Sequence, residues 1–141
     1  MRDDEIVNAL IDVLAARTGW ERTGPGTVPS GNAPALFYGA IPPEPDEAVG
    51  VTLYAADDQL ILDGEQYGYA VRRVQVRFRG PEFDPAGADA LASQAFRALQ
   101  GLSRVAGLNH AERFQVAPLG VDGNRRAERA DSYIVIPDTE A

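Results

Sequence analysis

The chain has 141 residues, 45% of them hydrophobic, and a formal net charge of −8, which predicts one domain with a core of its own. It has no cysteine and one histidine, so disulfides and thiolate metal sites are excluded and a transition-metal site is disfavoured. The acidic charge argues against general binding to nucleic acid or anionic membranes, and no apolar run approaches the ~20 residues that span a bilayer.

The first predicted element is a helix over residues 3–18, where acidic residues in the first turn suit the helix dipole. Gly19 can take the left-handed conformation that ends the helix, and Trp20 behind it is expected to anchor the helix end in the core. The acidic start argues against a signal peptide. Helical spacing is visible in the apolar positions Ile6, Leu10, Val13 and Leu14.

The following residues predict a loop at 21–35, which is rich in glycine and proline, and then two strands at 36–41 and 49–54. A rigid acidic connection with three prolines lies between these strands, at 42–47. Residues 55–70 are predicted to be a polar connection, and the apolar run within it is either a short strand or a packed loop segment.

The central strand is predicted by strict alternation, with Val74, Val76 and Phe78 on a buried face. Asp84 and Pro85 then suit the N-cap and first position of a second helix, which Gly101 can end. The apolar stripe of this helix contains Leu91, Ala95, Phe96, Leu99 and Leu102.

A closing strand pair is predicted at 112–117 and 131–136. The connection at 118–130 contains the turn dipeptide Asp122-Gly123 and is long for a hairpin, so we expect either an extended arm or a large mobile loop. The last residues, 138–141, are expected to be a short frayed tail.

These elements predict a single α+β domain over residues 1–141. The order is α-β-β-β-α-β-β, with a mostly antiparallel sheet of four to five strands and both helices packed on one face. The predicted core consists of Ile6, Leu10, Val13, Leu14, Val74, Val76, Phe78, Leu91, Phe96 and Leu99.

No catalytic motif is present: the chain lacks a nucleophile elbow, a zinc-protease helix motif, a dinucleotide-binding loop and an EF-hand. His110 could act as a general base, but no Ser or Cys nucleophile stands near it in sequence, and a solvated loop histidine is the simpler interpretation. We therefore predict no enzymatic activity, no cofactor and no metal site.

A row of polar side chains occupies the other face of the central strand, at Arg73, Gln75, Arg77 and Arg79. One interpretation is a solvent face whose arginines pair with neighbouring carboxylates for little net energy. The other is a face that docks onto an acidic surface of another subunit. The sequence leaves both open.

The order and spacing of these motifs resemble the tail terminator proteins of long-tailed bacteriophages, also described as minor capsid proteins. The resemblance covers nearly the whole chain. It rests on the first helix and on the segments Ala40–Val51, Val74–Gly80, Ala98–Leu102 and Leu119–Glu128, followed by Tyr133-Ile-Val-Ile.

This resemblance implies a structural virion protein and not an enzyme. Six copies would form a ring at the tail–head junction that caps the tail tube, stops its polymerisation and joins tail to head. The implied partners are the tail tube protein, a head–tail connector or neck protein, and DNA that passes through without specific binding. The chain would be made in the host cytoplasm, and it can be a monomer until its template is present.

Three groups of residues are the predicted subunit interface. Arg73, Arg77 and Arg79 would meet the acidic segments 44–47 and 57–65 of a neighbour. Apolar anchors are also needed, and the candidates are Tyr54, Tyr67 and Tyr69. The 118–130 loop would reach a neighbour or the tube through Asp122, Asn124, Arg125 and Arg126.

Two rival interpretations remain. The chain could be another phage neck or tail-tube protein, which tails made without it would reveal. It could also be a small ligand-binding or enzymatic α+β domain with its site at the sheet edge, and oligomeric size would separate that class from a ring.

Overall fold

The structure is a computed structural model that describes residues 1–60 and 68–138. Two helices and six strands follow along the chain: α1 (Asp3–Thr18), β1 (Glu21–Arg22), β2 (Ala35–Tyr38), β3 (Ala48–Leu60), β4 (Gly68–Glu82), α2 (Gly87–Leu99), β5 (Leu108–Val121) and β6 (Arg126–Pro137). Neither helix in the described residues is long and apolar enough to cross a membrane.

All six strands form one mixed sheet in the order β1-β2-β3-β4-β6-β5. The first three strands are parallel to one another, whereas β3, β4, β6 and β5 are antiparallel to their neighbours. The α+β class and the two helices agree with the sequence prediction. The prediction of four to five mostly antiparallel strands was wrong in detail, because β1 is only two residues long and lies in the segment predicted as a loop.

The parallel pairing of β2 with β3 follows from the path of residues 39–47. This segment crosses the face of the sheet opposite the helices, here called the helix-free face, and returns the chain to the same end. It lies so close to β3 that a Cβ at Gly50 would collide with the Gly39 carbonyl oxygen and stand 3.0 Å from Ile41 Cγ1. The predicted proline-rich connection is therefore present, but it joins two parallel strands and not an antiparallel pair.

The first helix has the predicted bounds. At its start the Arg2 backbone N–H donates to Glu5 Oε1 at 2.8 Å, and the first-turn acids face the positive end of the dipole. At its end Gly19 has φ 82° and donates its N–H to the Ala15 carbonyl at 3.1 Å. Trp20 is buried in the core, as predicted.

The second helix begins later than predicted. Ala86 is its N-cap and Gly87 its first residue, while Asp84 instead makes a turn in which its Oδ1 accepts the Ala86 N–H at 3.1 Å. Close packing fixes this start, because a Cβ at Gly80 would lie 2.8 Å from the Ala88 nitrogen. The helix can therefore rest directly on the end of β4.

The core lies between the helices and one face of the sheet, and nine of the ten residues predicted for it are buried. Phe96 is the exception, because its half-buried ring lies at the margin of α2 under the Arg113 guanidinium, 4.2 Å from the ring centroid. Arg113 belongs to a charged network below α2 in which the fully buried Asp131 accepts a hydrogen bond from Arg129 Nε at 2.7 Å. Arg129 also reaches Asp89 on α2 at 3.1 Å.

Two predicted connections are largely strand. Residues 55–60 and 68–70 extend the β3–β4 hairpin, and residues 61–67, including part of the apolar run at 60–62, lie outside the described residues. The connection at 118–130 is also mostly strand, since β5 runs to Val121 and β6 resumes at Arg126. The extended arm, and not a large loop, is therefore present. His110 likewise lies on β5, where its Nε2 is 3.2 Å from Glu112 Oε2.

Candidate assembly surface

Polar side chains of β4 line the helix-free face, as the alternation predicts. Val74, Val76 and Phe78 are fully buried towards the helices. The opposite side of the strand carries Arg73, Gln75, Arg77 and Arg79, and residues 39–41 fold over one end of this face. The four side chains share a face, but they differ in burial and in their partners.

Arg73 and Arg77 are exposed and make ion pairs within the chain. Arg73 Nε lies 3.1 Å from Asp57 Oδ2, and its guanidinium is 5.4 Å from the ring centroid of Phe114. Arg77 Nε lies 3.1 Å from Glu128 Oε2. Both arginine side chains are about half exposed, so their guanidinium groups are accessible to a partner. Pairs made by such exposed side chains contribute about 0–1 kcal/mol.

Arg79 has a different environment from the other two arginines. It is 5% exposed, and its Nε and Nη1 donate to the carbonyls of Asp46 and Pro42 at 2.9 and 2.8 Å, while Nη2 donates to the Pro45 carbonyl. Burial, together with the nearby Arg126 charge, lowers the pKa of Arg79. The sequence placed Arg79 on an open face, but residues 42–46 cover it.

Arg126 binds the same segment from the neighbouring strand. It is also buried, and its Nη1 donates to the Pro43 carbonyl at 2.7 Å and to Asp46 Oδ1 at 3.1 Å. We call Arg79, Arg126 and residues 42–46 the proline clamp. Its two arginines hold the segment that separates β2 from β3, so in this structure they act within the subunit.

Asp122 organises the tip of the β5–β6 hairpin. Its Oδ1 accepts the backbone N–H groups of Asn124 and Arg126, both at 2.9 Å, and its Oδ2 accepts Arg126 Nε at 2.9 Å. The hydrogen bond from the Arg126 backbone N–H is the main reason that the pKa of Asp122 lies below its usual value. Asp122 therefore links the hairpin tip to the proline clamp.

The exposed part of the tip is formed by Asn124 and Arg125. Arg125 has φ 62°, and its guanidinium lies 5.5 Å from the ring centroid of Phe83. Phe83 is 70% exposed, and its N–H donates to the Arg125 carbonyl at 3.0 Å. An aromatic ring and a cation thus stand together at this end of the sheet, which the sequence analysis did not predict.

The predicted tyrosine anchors are only partly described. Tyr54 lies at a bulge of β3 and is 47% exposed, so it can contact a partner. Tyr69 pairs with Gln59 through the backbone of β4. Tyr67 lies outside the described residues.

The acidic segments proposed as partners of the arginines lie close to them in the same chain. Segment 44–47 belongs in part to the proline clamp, and Asp57 pairs with Arg73. The rest of 57–65 beyond residue 60 lies outside the described residues. Some of the acidic groups predicted to bind a neighbour's arginines therefore bind arginines of their own subunit.

The edge strand β5 is a further surface, which was not predicted from the sequence. Four large apolar side chains are exposed along it: Phe114, Val116, Leu119 and Val121. Soluble proteins rarely leave a long apolar edge strand open unless it binds something. Its apolar residues on both sides of Pro118 are the signal in the sequence, but the strand is predicted to end at residue 117 and the residues from Pro118 onward to form a connection.

Comparison with known proteins identifies the family. A family model described as bacteriophage tail terminator protein matches residues 20–139. A chain from the solved virion of a native gene transfer agent particle has the same fold, with a TM-score of 0.59, 19% identity, and 95% of each chain covered. No curated protein matches.

Proposed function

Because the chain belongs to the bacteriophage tail terminator family, and is thus a structural protein of the virion tail, we propose that it forms the ring that caps the tail tube and stops its polymerisation. The match across residues 20–139 is the observation that carries this proposal. Six copies form the ring, and its other side joins the tail to a head–tail connector or neck protein. The family is structural, so no catalytic step is assigned to the chain.

The helices suggest which face of the subunit lines the passage. Both helices pack on one face and contact each other, so a ring with this face outward avoids crowding them around the axis. The helix-free face then faces the DNA. Its exposed arginines Arg73 and Arg77 are paired with Asp57 and Glu128, and the chain carries net charge −8, which suits DNA that slides without binding.

The residues available to neighbours are those that the fold leaves exposed. Five of the candidates predicted from sequence remain on the surface. We retain Tyr54, Asn124 and Arg125 as subunit-interface candidates, while Arg73 and Arg77 stand on the face turned towards the passage. Arg79, Arg126 and Asp122 support this surface by fixing the proline clamp and the hairpin tip. The free chain is a monomer if the contacts between subunits form only on the end of the tail tube.

Tail length tests the function. Particles made without the protein should carry abnormally long tails if it ends polymerisation, whereas tailless heads or missing tubes would assign it to another neck or tube role. Electron microscopy of the virion should then locate one ring between tube and head.

A single substitution tests the arginine face. Arg77→Glu breaks the pair with Glu128 and sets a second carboxylate beside it. Because Arg77 is exposed, the cost should stay near about 1 kcal/mol and the melting temperature should fall only slightly, while tails should lengthen or fail to join heads. Arg77→Gln, which removes the charge without reversing it, is the matched control and should affect tail length and head joining less than Arg77→Glu does. Normal tails in the Glu variant would show that the charge of Arg77 on this face has no role in assembly.

A further inference from the structure

Half of the β5 edge is capped within the subunit and half is open. Near its start, the Ala111 carbonyl accepts the Gly101 N–H at 2.9 Å, and the Arg113 N–H donates to Gln100 Oε1 at 2.8 Å. In residues 114–121 the described chain provides no hydrogen bond on the outer side of the strand. This open half is also where the exposed apolar side chains lie.

A second open edge lies on β3. Strand β2 pairs with residues 48–51 of β3 only, and the last hydrogen bond beside it runs from the Gly39 N–H to the Val51 carbonyl at 2.8 Å. Beyond this point residues 52–60 pair with β4 on one side, and no described strand pairs on the other. Tyr54 is exposed on this stretch.

The two open edges have compatible directions. Each successive pair from β3 through β4 and β6 to β5 is antiparallel, so β3 and β5 also run in opposite directions. A second copy placed beside the first in the same orientation therefore brings its β5 antiparallel to β3. Such a contact uses different surfaces on the two copies, as a ring requires.

We propose that residues 114–121 of one subunit pair with residues 52–59 of the next, so that the sheet continues from copy to copy. The partner is a second copy of this chain, and the inference rests on the proposed ring. Backbone hydrogen bonds would supply affinity, and the apolar side chains would fix the register.

The positions of the open halves determine the offset between copies. The ladder sets Ala117 level with Ala130, Arg77 and Gly50 of its own subunit. Ala56 is level with Arg72, five steps along β4 from Arg77. To bring Ala117 opposite Ala56 of a neighbour, that neighbour must therefore shift by ~17 Å at ~3.3 Å per residue. Four strands at ~4.8 Å spacing are ~19 Å wide, so the strands of a flat ring would tilt by about 40°, near the tilt at which sheets close into barrels.

The same register brings exposed groups together. Leu119 comes opposite Tyr54, and both stand at bulges of their own ladders. The hairpin tip at 122–125 comes to the end of β2, beside Tyr38, which is 55% exposed. Pro118 has no N–H to donate, so we expect the intersubunit ladder on either side of it.

The absence of cysteine makes cross-linking a clean test. Virions are assembled with Tyr54→Cys, Leu119→Cys or both, oxidised mildly, and run on a non-reducing gel. The double variant should give a ladder of multimers of this chain, and neither single variant should. When Leu119→Cys is combined with Thr52→Cys or Ala56→Cys in place of Tyr54→Cys, the yield of cross-linked multimers should fall, because residues 52 and 56 do not lie opposite Leu119.

An incorporated double variant without multimers would overturn the pairing, as would cross-linking of Leu119→Cys to the tube protein. The tail-length experiment keeps the two proposals distinct. If tails are long when the protein is absent but the double cysteine variant gives no cross-link, only the strand pairing is rejected. In a second test, Leu119→Lys should prevent ring formation, and Val28→Lys, which adds the same charge at an exposed loop position, should not. Equal assembly of both variants would count against the proposal.

Discussion

Arg79 and Arg126 lie on adjacent strands and bind successive carbonyl groups of one segment, Arg79 Nη1 at 2.8 Å from the Pro42 oxygen and Arg126 Nη1 at 2.7 Å from that of Pro43. Prolines lack an N–H, so this segment has few donors with which to satisfy its own carbonyls. Two buried arginines supply them. The carboxylates of Asp46 and Asp122 compensate for the charge of Arg126.

Arg79→Lys should destabilise the fold although it keeps the charge. A lysine ammonium cannot reproduce the planar set of donors that reaches three carbonyls, and hydrogen bonds to charged groups are worth about 1.5–3 kcal/mol each. We expect a loss of about 3 kcal/mol in denaturant unfolding. Arg77→Lys on the same strand face is the control and should lose less than about 1 kcal/mol. Equal losses would contradict the proline clamp.

Asp131→Asn should be strongly destabilising. Asp131 is fully buried between Arg113 and Arg129, and removal of its charge leaves both guanidinium groups facing each other below α2. Breaking a buried pair costs about 3–5 kcal/mol, and we expect the lower end because both arginines can partly reach solvent. Chemical denaturation measures the loss. Asp89→Asn, at the exposed end of the network, should cost under about 1 kcal/mol.

The hairpin tip should loosen in acid. The pKa of Asp122 is lowered in the folded chain, so its stabilising effect is complete above the ordinary carboxyl pKa of about 3.9 and is lost as pH falls through the lowered value. The protection of the Asn124 and Arg126 amides against exchange, measured by NMR and corrected for the intrinsic rate at each pH, should fall in that window. In Asp122→Asn the exchange should be faster at neutral pH and should lose this acid dependence. An unchanged pH profile would exclude Asp122 as the cause.

Tyr133→Phe should be neutral or stabilising by about 1 kcal/mol. The Tyr133 side chain is fully buried, and among the described residues its hydroxyl has no hydrogen-bond partner. Burial raises the pKa of this hydroxyl, so it should stay protonated at alkaline pH until the chain unfolds. Thermal melts compare the two proteins. A loss of more than about 1 kcal/mol would mean that the hydroxyl is hydrogen-bonded in solution.

The sequence alone determined the elements whose signals are local. The period of apolar residues located α1 and the buried face of β4, Gly19 marked a helix end, and Asp122-Gly123 marked a turn. The order of these motifs also identified the family. Such features depend on neighbours within a few residues, so they can be read along the chain.

Tertiary structure decided which side chains of a given pattern are accessible. Arg77 and Arg79 have the same residue type, strand and face, yet only Arg79 is buried, because residues 42–46 fold over it from ~35 positions away. Phe96 fits the apolar stripe of α2 but lies at its margin under Arg113. The position of β5 at the edge depends on β6 inserting between it and β4. Burial and strand order arise from contacts between distant segments. A periodic pattern does not tell which distant segment will pack against a given strand or helix.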